Sequence, residues 1–267
     1  MLKDITLGQY FPGNTLLHRL DPRTKLVLTL VYIVALFVAK NYISYAVMLA
    51  FLITSVLVSK VKPRALFKGL KPIMVIIIIT AILNLFYTDG NVLVRFWEFK
   101  ITDAGIKSAV FMALRIAMLI MGTFLLTYTT SPIDLTDGLE KLLGPLKKIK
   151  IPVHELAMMM SIALRFIPTL IEETDKIMSA QKARGADFET GNIFERARAM
   201  LPLLVPLFVS AFRRADELAV AMESRCYHGG EGRTKMKQLK MKRGDYVGLT
   251  TGALLLTCVI TLASFGL

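Results

Sequence analysis

Residues 42–59 read YISYAVMLAFLITSVLVS, an apolar run of 18 residues that contains no charged side chain. A helix needs about 20 apolar residues to cross the roughly 30 Å hydrocarbon core of a bilayer, so such a run is typical of a membrane span. Comparable runs occupy four other places, which are 26–39, 72–88, 104–129 and 246–266. The mean hydropathy of +0.56 disfavours the alternative that these runs are buried helices of a large soluble protein. The sequence therefore predicts an all-α integral membrane protein with about five transmembrane helices.

The formal net charge of +13 is spread unevenly along the chain. If the N-terminus is cytoplasmic, the inner segments 1–25, 60–71 and 130–244 carry 4, 5 and 19 Lys and Arg residues. The outer loops and outer span ends hold few basic residues, which are Lys40, Arg95, Lys100 and Lys107. This asymmetry follows the positive-inside rule and predicts a cytoplasmic N-terminus and an external C-terminus. The basic excess thus indicates topology and contact with anionic membrane lipids, and no motif accompanies it that would indicate nucleic acid.

These spans divide the chain into three parts. A four-span membrane block covers 1–130, a cytoplasmic helical module covers 131–244, and a C-terminal transmembrane helix covers 245–267. Within the module, residues 133–148 are typical of a short amphipathic helix interrupted by the Gly-Pro pair at 144–145.

Two long helices are predicted to follow in the cytoplasmic module. The first opens at Pro152, whose missing N–H is harmless in a first turn, and ends at Arg184 before Gly185. The second runs from near Asn192 to Arg225. Internal prolines are expected to kink these helices rather than end them, and they are Pro168, Pro202 and Pro206.

The ends of the two long helices repeat each other with an offset of 41 residues. The matching pairs are Asp175 with Asp216, Ile177 with Leu218, Ala180 with Ala221, and Arg184 with Arg225. Each repeat places an arginine between two small residues, in the triplets Ala183-Arg184-Gly185 and Ser224-Arg225-Cys226. The two helix ends are therefore expected to present similar surfaces.

Two interpretations of these arginines remain open. An arginine in a last turn meets the helix dipole and a following glycine is a common stop, so the triplets could simply cap the helices. Alternatively, the rigid guanidinium fork could dock in an acidic groove of a partner protein, with the small flanking residues leaving room for the partner surface. Cys226 favours docking, because it is not a capping glycine. Docking is preferred, and both interpretations can hold together.

This arrangement resembles a known family. Two cytoplasmic helices that each end in a small-Arg-small motif, and the stretch LLHRLDPRTKL at 16–26, are similar to the transmembrane T component of energy-coupling factor transporters. These are ABC-type importers of vitamins and transition-metal ions in prokaryotic plasma membranes. The resemblance covers essentially the whole chain, although the SRC form at 224–226 departs from the commoner ARG form.

The resemblance also implies partners and roles. The two helices would be coupling helices, and Arg184 and Arg225 would each dock in a groove of one of two ATPase subunits. The chain would then be a non-catalytic scaffold that passes ATPase closure to a substrate-binding membrane subunit, called the S subunit.

The sequence carries no sign of a cofactor or metal site. It lacks the G-x-x-x-x-G-K-[ST] pattern that cradles nucleotide phosphates, so ATP-Mg is expected to bind the partner ATPase subunits and not this chain. The three histidines, His18, His154 and His228, share no metal-ligand spacing and are interpreted as isolated polar residues.

One ionisable residue lies within a predicted span. Arg115 sits in the middle of 104–129, where lipid exposure of a charge is costly, so it is a candidate functional residue. The alternative is an arginine that faces the bundle and pairs with a polar neighbour such as Asn84.

Three consecutive methionines, Met158, Met159 and Met160, lie early in the first long helix. Methionine is often a core filler, but its flexible thioether also suits a surface that repacks against different partners. We therefore consider this region a candidate contact surface for the S subunit.

A self-sufficient secondary transporter is the alternative function. Such a carrier should show acidic residues inside its spans and a repeat across them. The five runs contain no Asp or Glu, and the repeat lies outside them. A membrane enzyme is a third alternative, but no clustered catalytic set is visible in the sequence.

Overall fold

The computed structural model describes residues 10–96, 99–188, 192–229 and 238–265. Within these ranges the chain forms α-helices, two 3₁₀ segments and one β-hairpin. The α-helices are α1 Leu16–Arg19, α2 Pro22–Val38, α3 Tyr42–Ser59, α4 Pro63–Leu70, α5 Met74–Tyr87, α6 Asp103–Thr129, α7 Pro132–Leu142, α8 Val153–Ala183, α9 Ile193–Glu223 and α10 Arg243–Ser264. The 3₁₀ segments are Lys71–Ile73 and Gly144–Ile149, and the strands are β1 Val92–Phe96 and β2 Phe99–Thr102. The all-α membrane class is thereby confirmed, with a small hairpin added.

The chain divides into two compact units. Residues 8–139 and 239–267 form the first, which we call the span unit, and residues 140–238 form the second, the helix-pair unit. The predicted functional boundaries at 130 and 244 follow from the membrane spans and stay a prediction.

In the span unit, helix α2 packs against α10, α6 and α3. Its buried face carries Tyr32, Ala35 and Leu36, at the spacing that puts side chains on one side of a helix. The remaining members of this core cluster come from α3, α6, α10 and the residue after α2, and they are Ala39, Tyr45, Met48, Leu52, Met118, Leu255 and Val259. Gly122 of α6 allows the close approach, because a Cβ there would lie 2.5 Å from the Tyr32 ring.

Five described helical segments are long and apolar enough to cross a membrane. They are Tyr42–Ser59, Pro63–Tyr87, Asp103–Thr129, Val153–Ala183 and Arg243–Ser264. The number agrees with the predicted count, and four of these segments contain most of a predicted span.

The remaining segment, Val153–Ala183, was not among the predicted spans. The run 26–39 lies in α2, whose 17 residues extend only about 25 Å at 1.5 Å per residue, less than the bilayer core. Helix α8, which the sequence analysis assigned to the cytoplasm, takes its place in the set. The physical reason is that α8 is apolar in its first half and charged in its second, so its length and composition allow either assignment.

The β-hairpin between α5 and α6 was not predicted. Its two strands pair antiparallel, with Val92 opposite Thr102 and Phe96 opposite Phe99. Strand β1 reads VLVRF, which is rich in the β-branched and aromatic residues that favour strands. The hairpin occupies what the sequence analysis considered only as an outer loop.

The helices of the predicted module begin and end close to the expected residues. Helix α7 is followed by the 3₁₀ segment Gly144–Ile149, so the expected interruption at 144–145 is confirmed. Helix α8 is preceded by Pro152 and ends at Ala183, and α9 covers Ile193–Glu223. The three internal prolines lie inside α8 and α9 and end neither helix.

Candidate partner-binding site

The C-terminal end of α8 is closed by a Schellman motif, a pair of backbone hydrogen bonds around a left-handed residue. The N–H of Ala186 donates to the carbonyl of Gln181, and the N–H of Gly185 donates to the carbonyl of Lys182, both at 3.0 Å. Gly185 has a φ of +88°, which glycine adopts without a Cβ penalty. Arg184 is the residue immediately before this glycine, so the motif fixes its backbone.

The end of α9 repeats this motif. The N–H of Tyr227 donates to the carbonyl of Met222 at 3.1 Å, and the N–H of Cys226 donates to the carbonyl of Glu223 at 2.8 Å. Cys226 has a φ of +55°, so it occupies the position that Gly185 occupies in α8. The sequence argument that Cys226 speaks against capping is therefore wrong. A left-handed residue with a side chain is tolerated at a cost of about 1–2 kcal/mol.

Both arginine side chains are exposed at these caps. The flanking residues Ala183, Gly185, Ser224 and Cys226 are exposed as well. Among the residues that the structure describes, none forms a hydrogen bond or ion pair with the guanidinium of Arg184 or Arg225. The capping is done by the backbone, and the guanidinium groups remain available to a partner.

Helices α8 and α9 pack against each other in the helix-pair unit. A guanidinium nitrogen of Arg214 lies 2.9 Å from a carboxylate oxygen of Glu173, and these two residues are separated by the 41 residues of the repeat. Further along, the side-chain amide of Gln181 donates to the carbonyl of Pro202 at 3.4 Å. The contact later in α8 is made to an earlier residue of α9, so the two helices are antiparallel. Their C-terminal ends, and hence the two arginines, lie at opposite ends of the pair.

The contact with Pro202 has a local cause. In a regular helix the Pro202 carbonyl would accept from the N–H of residue 206, but Pro206 has no N–H to donate. Gln181 supplies a donor to this otherwise unpaired carbonyl. This contact links the proline-containing part of α9 to the end of α8.

The three consecutive methionines lie at the surface of α8. Met159 is 54% exposed and Met160 is 46% exposed, whereas Met158 is half-buried. Helix α9 contributes further exposed apolar side chains to this unit, which are Leu201, Leu204, Val205, Phe208 and Phe212. The unit therefore presents apolar surface on both of its long helices.

Arg115 faces the interior of the span unit, but not with the partner suggested from the sequence. Its Nε donates to the hydroxyl of Tyr45 at 2.8 Å, and its Nη2 donates to the carbonyl of Ala39 at 3.1 Å. The side-chain amide of Asn84 instead donates to the carbonyl of Thr80 within its own helix, at 2.9 Å. The alternative of an arginine that faces the bundle and pairs with a polar neighbour thus describes Arg115, but Asn84 as that neighbour is wrong. The guanidinium instead reaches Tyr45 and the carbonyl of Ala39, the C-cap residue of α2.

Two histidines have partners that the sequence did not indicate. His18 Nδ1 lies 2.6 Å from the Thr15 hydroxyl, and His18 Nε2 lies 3.1 Å from the Phe11 carbonyl. Burial lowers the pKa of His18 below its ordinary 6.5, outweighing the hydrogen bond to Phe11. His154 Nδ1 lies 2.9 Å from a carboxylate oxygen of Glu140. In the described part of the chain, no group of three or more His, Cys, Asp or Glu residues is placed to hold a metal ion.

Sequence reasoning missed the role of the LDPR segment within 16–26. Asp21 caps α2 by accepting the backbone N–H of Arg23, and its carboxylate also receives two bonds from the Arg23 side chain. The backbone N–H of Asp21 donates in turn to the buried carboxylate of Asp245, at 2.7 Å. An Asp-Pro pair at a helix start was the available signal for the cap, but nothing in the sequence indicated Asp245 as a partner.

These features define a class of protein. The chain is a multi-pass helical membrane protein that carries a separate helix-pair unit with an exposed, backbone-capped arginine at each end. Comparison with known proteins narrows this class to a family.

Residues 13–236 match the family model CbiQ, described as cobalt transport protein. The chain is 56% identical over 265 residues to an energy-coupling factor transporter transmembrane protein, EcfT, of Clostridium kluyveri, covering 98% of each chain. It is 54% identical to the EcfT of Thermosediminibacter oceani over 254 residues, which are 95% of this chain and 96% of the relative. It is 53% identical to the EcfT of Bacillus subtilis over 240 residues, which are 90% and 91% of the two chains. The chain therefore belongs to this family, the transmembrane component of energy-coupling factor transporters.

Membership confirms the resemblance drawn from the arginine triplets and the LDPR segment. It makes the chain a membrane subunit of a transporter, with a non-catalytic role.

Proposed function

We propose that this chain couples ATP hydrolysis in two ATPase subunits to movement of a substrate-binding S subunit, in an importer of vitamins or transition-metal ions. The observation that supports this proposal is the pair of exposed arginines, Arg184 and Arg225, held by equivalent backbone caps. The ATPase subunits bind ATP-Mg, and this chain binds no cofactor itself.

The caps make each arginine suitable for docking. A Schellman motif holds the backbone of Arg184 and Arg225 in place. Less conformational entropy is therefore lost when the guanidinium enters a groove. The guanidinium presents a planar fork of donors that matches a carboxylate in two parallel hydrogen bonds. Apart from its chain neighbours, no atom of the described residues lies within 4 Å of where a Cβ on Gly185 would be, so a groove wall can approach the helix tip.

The antiparallel arrangement of α8 and α9 supports a model in which each arginine binds a separate ATPase subunit. With the two tips at opposite ends of the helix pair, a single groove cannot receive both. A rigid pair would then convert approach of the two ATPase subunits into movement of the helices. The Arg214–Glu173 ion pair and the Gln181–Pro202 contact supply part of that rigidity.

The test is the double substitution Arg184→Ala with Arg225→Ala in the complete transporter. Removing an arginine from a desolvated, hydrogen-bonded charge pair costs about 2–5 kcal/mol, which is about thirtyfold or more in affinity per site. We expect both ATPase subunits to be lost on purification and substrate uptake to be abolished. Arg→Lys should rescue only partly, because an ammonium group lacks the planar fork.

Arg213→Ala is the matched control, since Arg213 is an exposed arginine of α9 away from the cap. It should leave copurification and uptake unchanged. Because the caps are made by backbone groups, the double variant should keep the melting temperature of the isolated chain. Normal assembly and uptake in the double variant would contradict docking. Uptake by the chain without ATPase subunits would instead support the secondary transporter.

We also propose that Met158, Met159 and Met160 contact the S subunit. The exposure of Met159 and Met160 supports this, because burying exposed apolar side chains against a partner is energetically favourable. A photocrosslinker at position 159 should capture the S subunit or a neighbouring helix of this chain. Capture of an ATPase subunit alone would contradict this surface. A crosslinker at Leu254, an exposed residue of α10, is the control for nonspecific capture.

A further inference from the structure

A polar cavity of about 250 Å³ lies in the span unit. It opens where α2 and α5 end, where α3 begins, and along the first half of α6. Its polar lining consists of Lys40, Tyr45, Asn84, Ser108 and Arg115. The role proposed above for the helix-pair unit makes no use of this cavity.

The described lining of the cavity is positively charged and includes no carboxylate. Arg115 and Lys40 line the cavity, and among the residues that the structure describes no acidic one does. Arg115 donates only to neutral oxygens, and its guanidinium lies 5.8 Å from the ring centroid of Tyr45. Lys107 is not part of this lining, and its ammonium lies 5.1 Å from the ring centroid of Tyr42. A charge withdrawn from water is costly unless an opposite charge or sufficient hydrogen bonds compensate it.

The same side chains offer a set of donors. Arg115 uses Nε and Nη2 within the protein, and no described residue accepts from its Nη1. The Tyr45 hydroxyl accepts from Arg115 and keeps its own proton to donate. The Ser108 hydroxyl and the Lys40 ammonium are further donors along the lining. Several donors around two positive charges suit an oxyanion such as a phosphate group.

The surroundings of the cavity indicate where such a phosphate comes from. Exposed apolar side chains flank it on α2 and α5, where Phe37 is 60% exposed, Ile82 47% and Leu83 50%. A free phosphate ion would use the cavity alone, whereas a phospholipid would place its phosphate in the cavity and its acyl chains along this apolar surface. We propose that the cavity binds the phosphate of a phospholipid headgroup, with the acyl chains lying along α2 and α5. In the predicted topology this lipid belongs to the outer leaflet.

The proposal is tested by native mass spectrometry of the full chain in detergent. The probe is dioleoylphosphatidylglycerol, and dioleoylglycerol provides the same acyl chains without a phosphate. We expect the phosphate-bearing lipid to remain bound and the neutral one to be lost. Arg115→Gln should weaken binding about tenfold or more, the equivalent of one good ionic hydrogen bond. Lys107→Gln, which removes a cation that does not line the cavity, should change binding less than about twofold.

Other outcomes would overturn the proposal. Equal retention of both lipids, or unchanged retention by Arg115→Gln, would exclude recognition of the phosphate. Displacement of the lipid by millimolar inorganic phosphate would indicate a free-anion site instead. If Arg115→Gln fails to fold, the pair Lys40→Gln with Ser108→Ala decides, because it removes two lining donors and leaves the contacts of Arg115 with Tyr45 and Ala39 in place. Unchanged binding by that pair would equally overturn the proposal.

Discussion

At the residue scale, the two arginines are positioned by the residue that follows each of them. Gly185 and Cys226 both turn the chain into the left-handed region, with φ values of +88° and +55°. Glycine enters this region freely, whereas the Cβ of a cysteine approaches the following carbonyl oxygen. The two helix ends therefore share one geometry but differ in the strain needed to reach it.

Because of this difference, removing the side chain at 226 and adding one at 185 should have opposite effects on stability. Cys226→Gly should stabilise the end of α9 by about 1 kcal/mol, and Gly185→Ala should destabilise the end of α8 by a similar amount. Hydrogen exchange of the amides at 222–227 and 181–186 measures each effect locally. Gly144→Ala is the control, since that glycine has no positive φ and, apart from chain neighbours, no described residue comes within 4 Å of its added Cβ. Unchanged exchange in Gly185→Ala would contradict the expected strain of a Cβ in this left-handed conformation.

At the element scale, one buried carboxylate joins the starts of two membrane helices. Asp245 is 1% exposed, and it accepts the backbone N–H of Asp21 at 2.7 Å and that of Lys242 at 2.6 Å. Both N–H groups lie at the N-terminal ends of α2 and α10, where backbone donors have no partner within the helix and a negative charge is favourable. Asp245 thereby links the N-terminal ends of α2 and α10, two helices that pack against each other.

The neighbouring carboxylate makes this junction sensitive to acid. Burial raises the pKa of Asp21, but the side-chain and backbone hydrogen bonds from Arg23, with the charges of Arg23 and Lys25, hold it below its ordinary 3.8. A carboxyl group with a lowered pKa stabilises the fold at neutral pH. That contribution is lost only as the pH falls below about 3.8 and through the lower pKa of the folded state.

Asp245→Ala should therefore destabilise the chain. The buried N–H of Asp21 and the partly buried N–H of Lys242 would lose a charged acceptor, and each such bond contributes about 1.5–3 kcal/mol. Asp245→Asn should cause an intermediate loss, because its one carbonyl oxygen replaces the two carboxylate oxygens in use. Thermal unfolding of the full chain in detergent measures both. Asp89→Ala, at an exposed position, should leave the transition unchanged, and equal melting of Asp245→Ala and Asp89→Ala would contradict the role of this carboxylate.

At the scale of the whole molecule, charge and apolar length are the physical constraints on topology. The chain is a multi-pass membrane protein with five described segments long enough to span. The uneven distribution of Lys and Arg predicts a cytoplasmic N-terminus and an external C-terminus, and it places the helix-pair unit in the cytoplasm. Helix α8 is the element that decides between this arrangement and one in which it crosses the bilayer.

Single cysteines labelled from each face of the membrane test this topology. The background is Cys226→Ser with Cys258→Ser, because both native thiols are exposed. A cysteine at Ser264 should react from outside, whereas cysteines at Ile151 and Ala186 should both react from the cytoplasm. If Ile151 and Ala186 react from opposite faces, α8 spans the membrane. Labelling of Ser264 from the cytoplasm alone would contradict the charge argument.

The features that the sequence alone determined are local ones. The apolar runs, the bounds of α8 and α9, and the prolines inside them depend on residues close together in the chain, through helical period, apolar length and the loss of an N–H. The arginine triplets were visible for the same reason, and with the LDPR segment they were sufficient to indicate the family.

The tertiary structure decided the features that depend on distant residues. Asp21 and Asp245 are 224 residues apart, and the partners of Arg115 lie 70 and 76 residues away. No local pattern encodes such pairs, because they exist only once α2, α3, α6 and α10 have packed. The left-handed turn at Cys226 belongs here as well. Cysteine has no preference for that conformation, and the hydrogen bonds that close the end of α9 impose it.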